Sequence, residues 1–442
     1  MNGKGMLPGF IRKKLEGRRR LQQLVGNTGW MMGDQIARQA VGLLVGVWLA
    51  RYLGPQLFGD LSYAFAVVLI VSPISMLALD SITIRRLAQD PAGRNDALGT
   101  SFVLMAATGA LSYLLTMATI LLSRPDDQLI HWLVGILAAS MIVQAFIAIE
   151  FWFESQMQWK YTVYAKTSAF MLVNVVKIAL ILLKAPLIAF AWIGLAETIL
   201  GSIGLLIVYH RRGFSIRAWR FSRSVAKTLL RDSWPLVLST MLTMIYLRID
   251  QIMIGNMIGS EELGVYSVAV RVAEAWYFIP MVISSSVFPA IVKTEAISEQ
   301  LFSTQMQKLY NWMALLAYGV AVPVAFFADE IIDLLFSSAY SQAGPLLALL
   351  IWAGLFTSLG AARDVFVISK NWTRVSLVSV ALGSALNIVL NYTLIPRLGA
   401  MGAVVATLIS YWFAIHGTCL LLKPLRRTGW MMTKAMLCPK VW

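Results

Sequence analysis

Apolar residues run along this chain in blocks of about twenty, and the polar residues gather between them rather than at amphipathic spacing. Each block is long enough to cross a hydrocarbon core as a helix. The blocks fall at roughly 24–50, 57–80, 98–122, 130–153, 162–183, 186–208, 233–257, 263–290, 306–328, 345–368, 373–394 and 400–422. Twelve spans are therefore expected, and the expected fold class is an all-α polytopic membrane bundle. The first block follows Arg12, Lys13, Lys14, Arg18, Arg19 and Arg20, exceeds a signal-peptide core in length and carries Asp34 and Arg38. It reads as a retained span.

Composition agrees: of 442 residues, 58% are hydrophobic and 13% charged. The formal charge of +15 would point to nucleic acid in a soluble protein, but here its distribution decides. Twenty-seven of the 37 basic residues fall in segments that share the side of the N-terminus. Four, Arg51, Arg124, Lys184 and Arg397, fall on the other side. The positive-inside rule then places both termini in the cytoplasm, and no nucleic-acid partner is expected. The two cysteines, Cys419 and Cys438, have no ligand spacing and form no disulfide framework.

A weak internal repeat divides the chain. At an offset of 205, Gly54, Gly59, Ser62 and Ala64 fall on Gly259, Gly264, Ser267 and Ala269. At 213, Trp159 and Asn174 fall on Trp372 and Asn387, and at 208 Gly194 falls on Gly402. Ordered matches at nearly constant offset read as a six-span unit used twice. Six is even, so the copies are parallel, related by an axis along the membrane normal. The expected organisation is a basic cytoplasmic N-terminus (1–23), a first lobe (24–209), a basic cytoplasmic linker (210–231), a second lobe (232–422) and a cytoplasmic tail (423–442). A path between two such lobes, opened to either side by rocking, implies a transporter; a duplicated channel or scaffold is the alternative.

Six basic residues lie inside spans: Arg38, Lys166, Lys177, Arg248, Arg271 and Arg363. A charge at mid-bilayer costs about 2.5 to 3.5 kcal/mol on insertion scales, so such residues face a bundle interior or a wet cavity. Asp34 with Arg38 (i,i+4) and Arg271 with Glu274 (i,i+3) share helix faces and are expected to neutralise themselves. Arg248 and Asp250 point apart and need partners elsewhere. Lys166, Lys177 and Lys184 stack on one face of the fifth span. Glu150 and Glu154 sit one turn apart, with Lys160 or Lys166 as possible partners. Interhelical clasps and snorkelling account for some of these charges. Basic residues on five different spans nonetheless point to a cationic cavity, hence an anionic cargo, and arginine suits phosphate through its fork of donors.

More ordinary features include "GLLVG" (42–46), a small-residue packing face, and Pro73, Pro280 and Pro289, which can kink their helices. The aromatic groups at 151–153, 276–278 and 411–413 read as interface or core residues, with stacking on sugar faces as the alternative.

The stretch "RIDQIMIG…GSEELGVYSVAVRVAEAWYFIP" resembles the seventh and eighth spans of the O-antigen (Wzx-type) polysaccharide-biosynthesis flippases, a branch of the multidrug/oligosaccharidyl-lipid/polysaccharide (MOP) exporter superfamily. It carries a basic residue before Asp250, the Gly259, Gly264 and Tyr266 turn, and Arg271 with Glu274 before "WYFIP". "YLGPQLFGDLSYAFA", "LLFSSAYSQAGPLLALL" and "LGAMGAVVATLISY" look like the same family. The resemblance covers nearly the whole chain. It implies two six-helix lobes in a MATE-like V and a cargo of short oligosaccharide on undecaprenyl diphosphate, moved across a bacterial inner membrane by alternating access. The diphosphate would meet Arg38, Lys166, Lys177, Arg248, Arg271 and Arg363.

No P-loop is present, so no cofactor is expected and a proton or sodium gradient is the expected energy source, with Asp250, Glu274 and then Asp34 as candidate coupling acids. A polysaccharide polymerase is a possible partner. A lipid-linked peptidoglycan precursor flippase and a multidrug antiporter are the nearest alternatives. An enzyme, a polymerase or ligase, is disfavoured by short external loops.

Overall fold

The computed structural model describes residues 9–440 except 296 and 371, with side chains from residue 33 onward apart from those of Asp34 and Thr373. Among the described residues, eleven helices are long and apolar enough to cross a membrane. They are α1 (Gln35–Gln89), α2 (Arg94–Ser123), α3 (Gln128–Ser155), α4 (Trp159–Leu182), α5 (Leu187–Arg211), α6 (Arg223–Met257), α7 (Ser260–Glu295), α8 (Glu299–Phe326), α9 (Ala343–Ser369), α10 (Arg374–Leu398) and α11 (Ala400–Leu421).

The count differs from the expected twelve because α1 takes in the first two apolar blocks. Its 55 residues would extend about 80 Å as one straight helix, more than twice a hydrocarbon core. The helix is interrupted at Gly54, whose φ of 70° and ψ of 172° are non-helical. The residue 205 positions later, Gly259, also has positive φ, 135°, and there the chain separates into α6 and α7. A positive φ is strained for any residue with a Cβ, so the repeated glycine marks the same break in both halves.

Other expected bends occur near their prolines. Helix α1 breaks after Met76, just past Pro73, where Leu77 and Ala78 take positive φ, and resumes at Leu79. Helix α7 is interrupted between Glu274 and Phe278, just before Pro280.

Two apolar clusters organise the packing. The larger joins α1 residues such as Leu53, Phe58 and Leu61 to Ile254, Leu263 and Val268 from α6 and α7. The smaller, built on Leu87, Leu98, Phe151, Phe153 and Tyr209, also takes in Val225 and Leu229 from the start of α6. Helix α6 is thus buried against the first half of the chain near its start, and against both halves near its end, with Pro235 between.

The basic segments are fastened down. In the linker, Arg220 N–H donates to the Asn95 carbonyl (3.1 Å), Ser222 N–H to Thr100 Oγ1 (3.0 Å), and the Trp219 indole to the Tyr209 hydroxyl (3.1 Å). The C-terminal segment, expected as a tail, instead forms α12 (Arg426–Leu437). It folds back on α8, where Tyr310 pairs with Thr428 and Tyr318 donates to the Met436 carbonyl (2.7 Å). Buried Met432 and Ala435 face inward, so the segment gains apolar burial that a free tail would lack. Its first turn is held by Arg427 on Glu299 (2.7 Å). Lys370 meets both Glu295 and Glu299 at 2.9 Å; partial burial pushes its ammonium down, but the two carboxylates outweigh this and raise it above its ordinary value.

Candidate functional site

A cavity of about 860 Å³ opens among α6, α7, α9, α10 and α11, and all its lining residues lie between 239 and 415. Its charged wall residues are Arg248, Glu274, Arg363 and Asp364. Arg248 donates to both oxygens of Glu274, Nη1 to Oε1 at 3.1 Å and Nη2 to Oε2 at 2.8 Å. This fork matches guanidinium and carboxylate geometry and fixes both side chains. Arg363, 4% exposed, donates to the Ala414 carbonyl (3.0 Å) inside the π-helical turn Phe413–Gly417 and to Ser376 (3.3 Å). Asp364 stands 3.7 Å from it. The two positive and two negative charges of this wall balance. Tyr411 stacks on Tyr246 at 4.5 Å, and both line the cavity with Tyr277.

Behind this wall Asp250 is buried on α6. It accepts hydrogen bonds from the Tyr266 hydroxyl and from Gln251 N–H (2.7 Å). A void of about 10 Å³, the size of one water, is lined by Asp250, Tyr266, Glu274, Thr407 and Tyr411 among others.

The remaining sequence candidates lie elsewhere. Lys166 pairs with Glu150, as anticipated, and Lys177 lies 3.6 Å from Glu197 on α5. Of the expected ladder, Lys166 and Lys177 are therefore in interhelical ion pairs, and Lys184 is exposed just past the end of α4. Arg38 donates to Thr167 (3.2 Å) and lies over the Phe170 ring at 5.0 Å. The side chain of Asp34 lies outside the described residues, so its expected pairing with Arg38 does too.

The expected pairing of Arg271 with Glu274 is corrected. Glu274 faces α6 and is taken by Arg248, whereas Arg271 turns to α1, where its guanidinium lies 5.7 Å from the Phe58 ring. A Cβ on Gly46 would come within 2.5 Å of Arg271 Cζ, so the small-residue face on α1 is the berth for this guanidinium. Among the described residues Arg271 has neither a carboxylate nor a hydrogen-bond acceptor. Lys177 is close enough for the two positive charges to interact.

Four of the six embedded cations are thus matched by acids, Arg38 is engaged, and Arg271 is in surplus. Residues 48–345 match the family model for "Polysaccharide biosynthesis protein". The chain belongs to the polysaccharide biosynthesis protein family.

Relatives are distant. A probable low-salt glycan biosynthesis flippase, Agl15, from Haloferax volcanii is 24% identical over 42% of this chain and 40% of its own length. A probable flippase, AglR, from the same organism is 27% identical over 43% and 40%. The matched region spans about two fifths of these curated relatives.

The fold likeness is broader. An inward-facing MATE-family multidrug resistance transporter of the MOP superfamily superposes with a TM-score of 0.71 at 15% identity, covering 88% of this chain and 96% of that one. The lipid II flippase MurJ in an inward closed conformation gives 0.65 at 14%, covering 92% and 90%. This member of the polysaccharide biosynthesis protein family has the MOP fold, as its sequence resemblance implied.

Several site residues had weak or no sequence signals. Tyr266 lies 16 residues from Asp250 across a turn, and Glu197 is a lone acid whose partner is on another helix. Gly46 carries a motif that reads as packing. The paired tyrosines Tyr246 and Tyr411 are 165 residues apart.

Proposed function

We propose that this protein is a flippase for a short oligosaccharide carried on a polyprenyl diphosphate, undecaprenyl diphosphate in a bacterial inner membrane, and that it works by alternating access of two six-helix lobes. The observation that carries this reading is Arg271. A half-buried guanidinium with no acceptor among the described residues is costly in a membrane bundle, and an anionic ligand entering between the halves would repay the cost with charge-assisted hydrogen bonds. A phosphate has the oxygen geometry for that fork. Arg38 adds positive field, and the cavity on the other side of α7 supplies aromatic faces and hydroxyls suited to sugars.

In this mechanism the head group enters from the basic, cytoplasmic side, where both termini lie, and the polyprenyl chain remains in lipid. The diphosphate docks at Arg271, the lobes rock, and the saccharide leaves on the opposite face. Arg248 with Glu274, and Arg363 with Asp364, hold the cavity wall rather than the phosphate. A proton or sodium ion couples the step through Asp250, which Tyr266 orients, with Glu274 one wall away and Asp34 as a third acid. No bond is made or broken in the cargo, so the protein is a transporter that passes its cargo to a polysaccharide polymerase.

The test is a deletion strain assayed for surface polysaccharide and for lipid-linked repeat units retained on the cytoplasmic leaflet. Loss of polysaccharide with viability intact supports the reading; normal export contradicts it, and lost viability points to a peptidoglycan precursor. A second reading, a small-molecule exporter, is favoured by the charge-balanced cavity wall. Its mark would be altered drug resistance in the same strain with polysaccharide unchanged.

A further inference from the structure

At the end of the molecule poorer in basic residues, the two copies of the repeated turn touch each other reciprocally. A Cβ on Gly59 would overlap the carbonyl of Ser260, reaching within 2.6 Å of its carbon. A Cβ on Gly264 would overlap the carbonyl of Pro55, reaching within 2.7 Å of its carbon. Gly264 is Gly59 displaced by 205 residues, and Ser260 is Pro55 displaced by the same 205. Each glycine therefore meets the residue that is the repeat-mate of the other's partner, the contact pattern of a two-fold joint.

Side chains close the joint around its rim. Arg51 donates to the carbonyls of Leu334 and Leu335 (2.6 Å to the latter) at the end of the short helix Ala328–Phe336. Arg124 donates to the Gly255 carbonyl near the end of α6 and to Asn256 Oδ1 (2.9 Å). In both places a first-half guanidinium satisfies the open carbonyl end of a second-half helix, where positive charge is favoured. Tyr340 donates to the Ala50 carbonyl (2.8 Å), and Tyr63 to Asn256 Oδ1 (2.9 Å).

We infer that Gly59 and Gly264 form a two-fold backbone joint that seals this end of the transporter, and that the joint parts and re-forms in each cycle. The inference rests on the alternating-access reading for its role in transport, but not for the joint itself. Backbone carbonyls cannot rotate away as a flexible side chain can, so one methyl on either glycine keeps the turns apart. Because the contacts are reciprocal, the two glycines carry equal weight. The rim arginines tighten the closed state without obstructing closure.

The experiment is cysteine crosslinking across the joint in the full-length protein, with Cys419 and Cys438 replaced. Gln56 and Gln342, which share one polar pocket over the joint, are changed to cysteine and treated with a short bismaleimide in detergent. The parent should crosslink readily. Gly59→Ala and Gly264→Ala should each lower the crosslinking rate about tenfold, and by similar factors, in protein that stays monodisperse. Arg51→Ala, which adds no bulk and covers the case in which an alanine variant fails to fold, should lower it in the same direction. Parent-like crosslinking in the glycine variants, or in Arg51→Ala when those do not fold, overturns the joint. Because the assay contains no cargo, a joint that behaves as described in a protein that moves no lipid-linked saccharide would count against the flippase reading alone.

Discussion

Arg248 and Glu274 face each other across the gap between α6 and α7, joined by two parallel hydrogen bonds of 3.1 and 2.8 Å. The pair replaces the same-helix couple that spacing alone favours, and it divides the embedded charges into two classes. Arg248 is a clasp; Arg271 is left over.

The clasp predicts a stability cost. Arg248→Ala strands a largely buried carboxylate and should destabilise the protein by about 2 kcal/mol, measured as thermal unfolding in detergent. Arg248→Met with Glu274→Gln, which removes both charges, should recover most of that loss. Equal destabilisation of single and double variants would contradict the pairing.

Gly46 predicts a steric dependence. Because a Cβ there would sit within 2.5 Å of Arg271 Cζ, Gly46→Ala should displace the guanidinium and reduce transport. In an Arg271→Ala background the same change should have almost no further effect, since its target is gone. Additive losses would place Gly46 outside the berth of Arg271.

Asp250 predicts a change in energetics rather than in folding. Asp250→Asn keeps one oxygen for Gln251 N–H and presents an amide N–H that the Tyr266 hydroxyl can accept, while removing the titratable group. In proteoliposomes it should retain slow downhill movement and lose acceleration by an imposed proton or sodium gradient. Gradient-stimulated transport in this variant would exclude Asp250 as the coupling acid.

Much of the fold was readable because bilayer thickness and chain geometry impose it: block length gives the spans, and the offset of 205 finds Gly54 and Gly259, both at positive φ. Proximity in sequence offered Glu150 and Glu154 as partners for Lys160 or Lys166, and the pair that forms is Glu150 with Lys166. Pairings between distant helices did not. Helical spacing puts Arg271 and Glu274 on one face, but whether they meet depends on what each neighbour offers. Here α6 brings a guanidinium to Glu274 and α1 brings a glycine-lined gap to Arg271. The apolar and polar residues of α12 likewise gave no sign that the end of the chain packs against α8, because a short amphipathic segment fits a membrane surface or a bundle groove equally well.

The most direct test of Arg271 as the phosphate ligand compares transport and stability in one set of variants. Arg271→Met and Arg271→Lys are reconstituted and assayed for translocation of an undecaprenyl-diphosphate-linked oligosaccharide, with thermal unfolding measured on the same preparations. Since Arg271 has no carboxylate or hydrogen-bond acceptor to lose among the described residues, Arg271→Met should unfold at the same temperature as the parent or higher, while translocation falls about tenfold to a hundredfold. Arg271→Lys, which keeps the charge and loses the fork, should fall between them. Parent-like translocation by Arg271→Met would contradict the account.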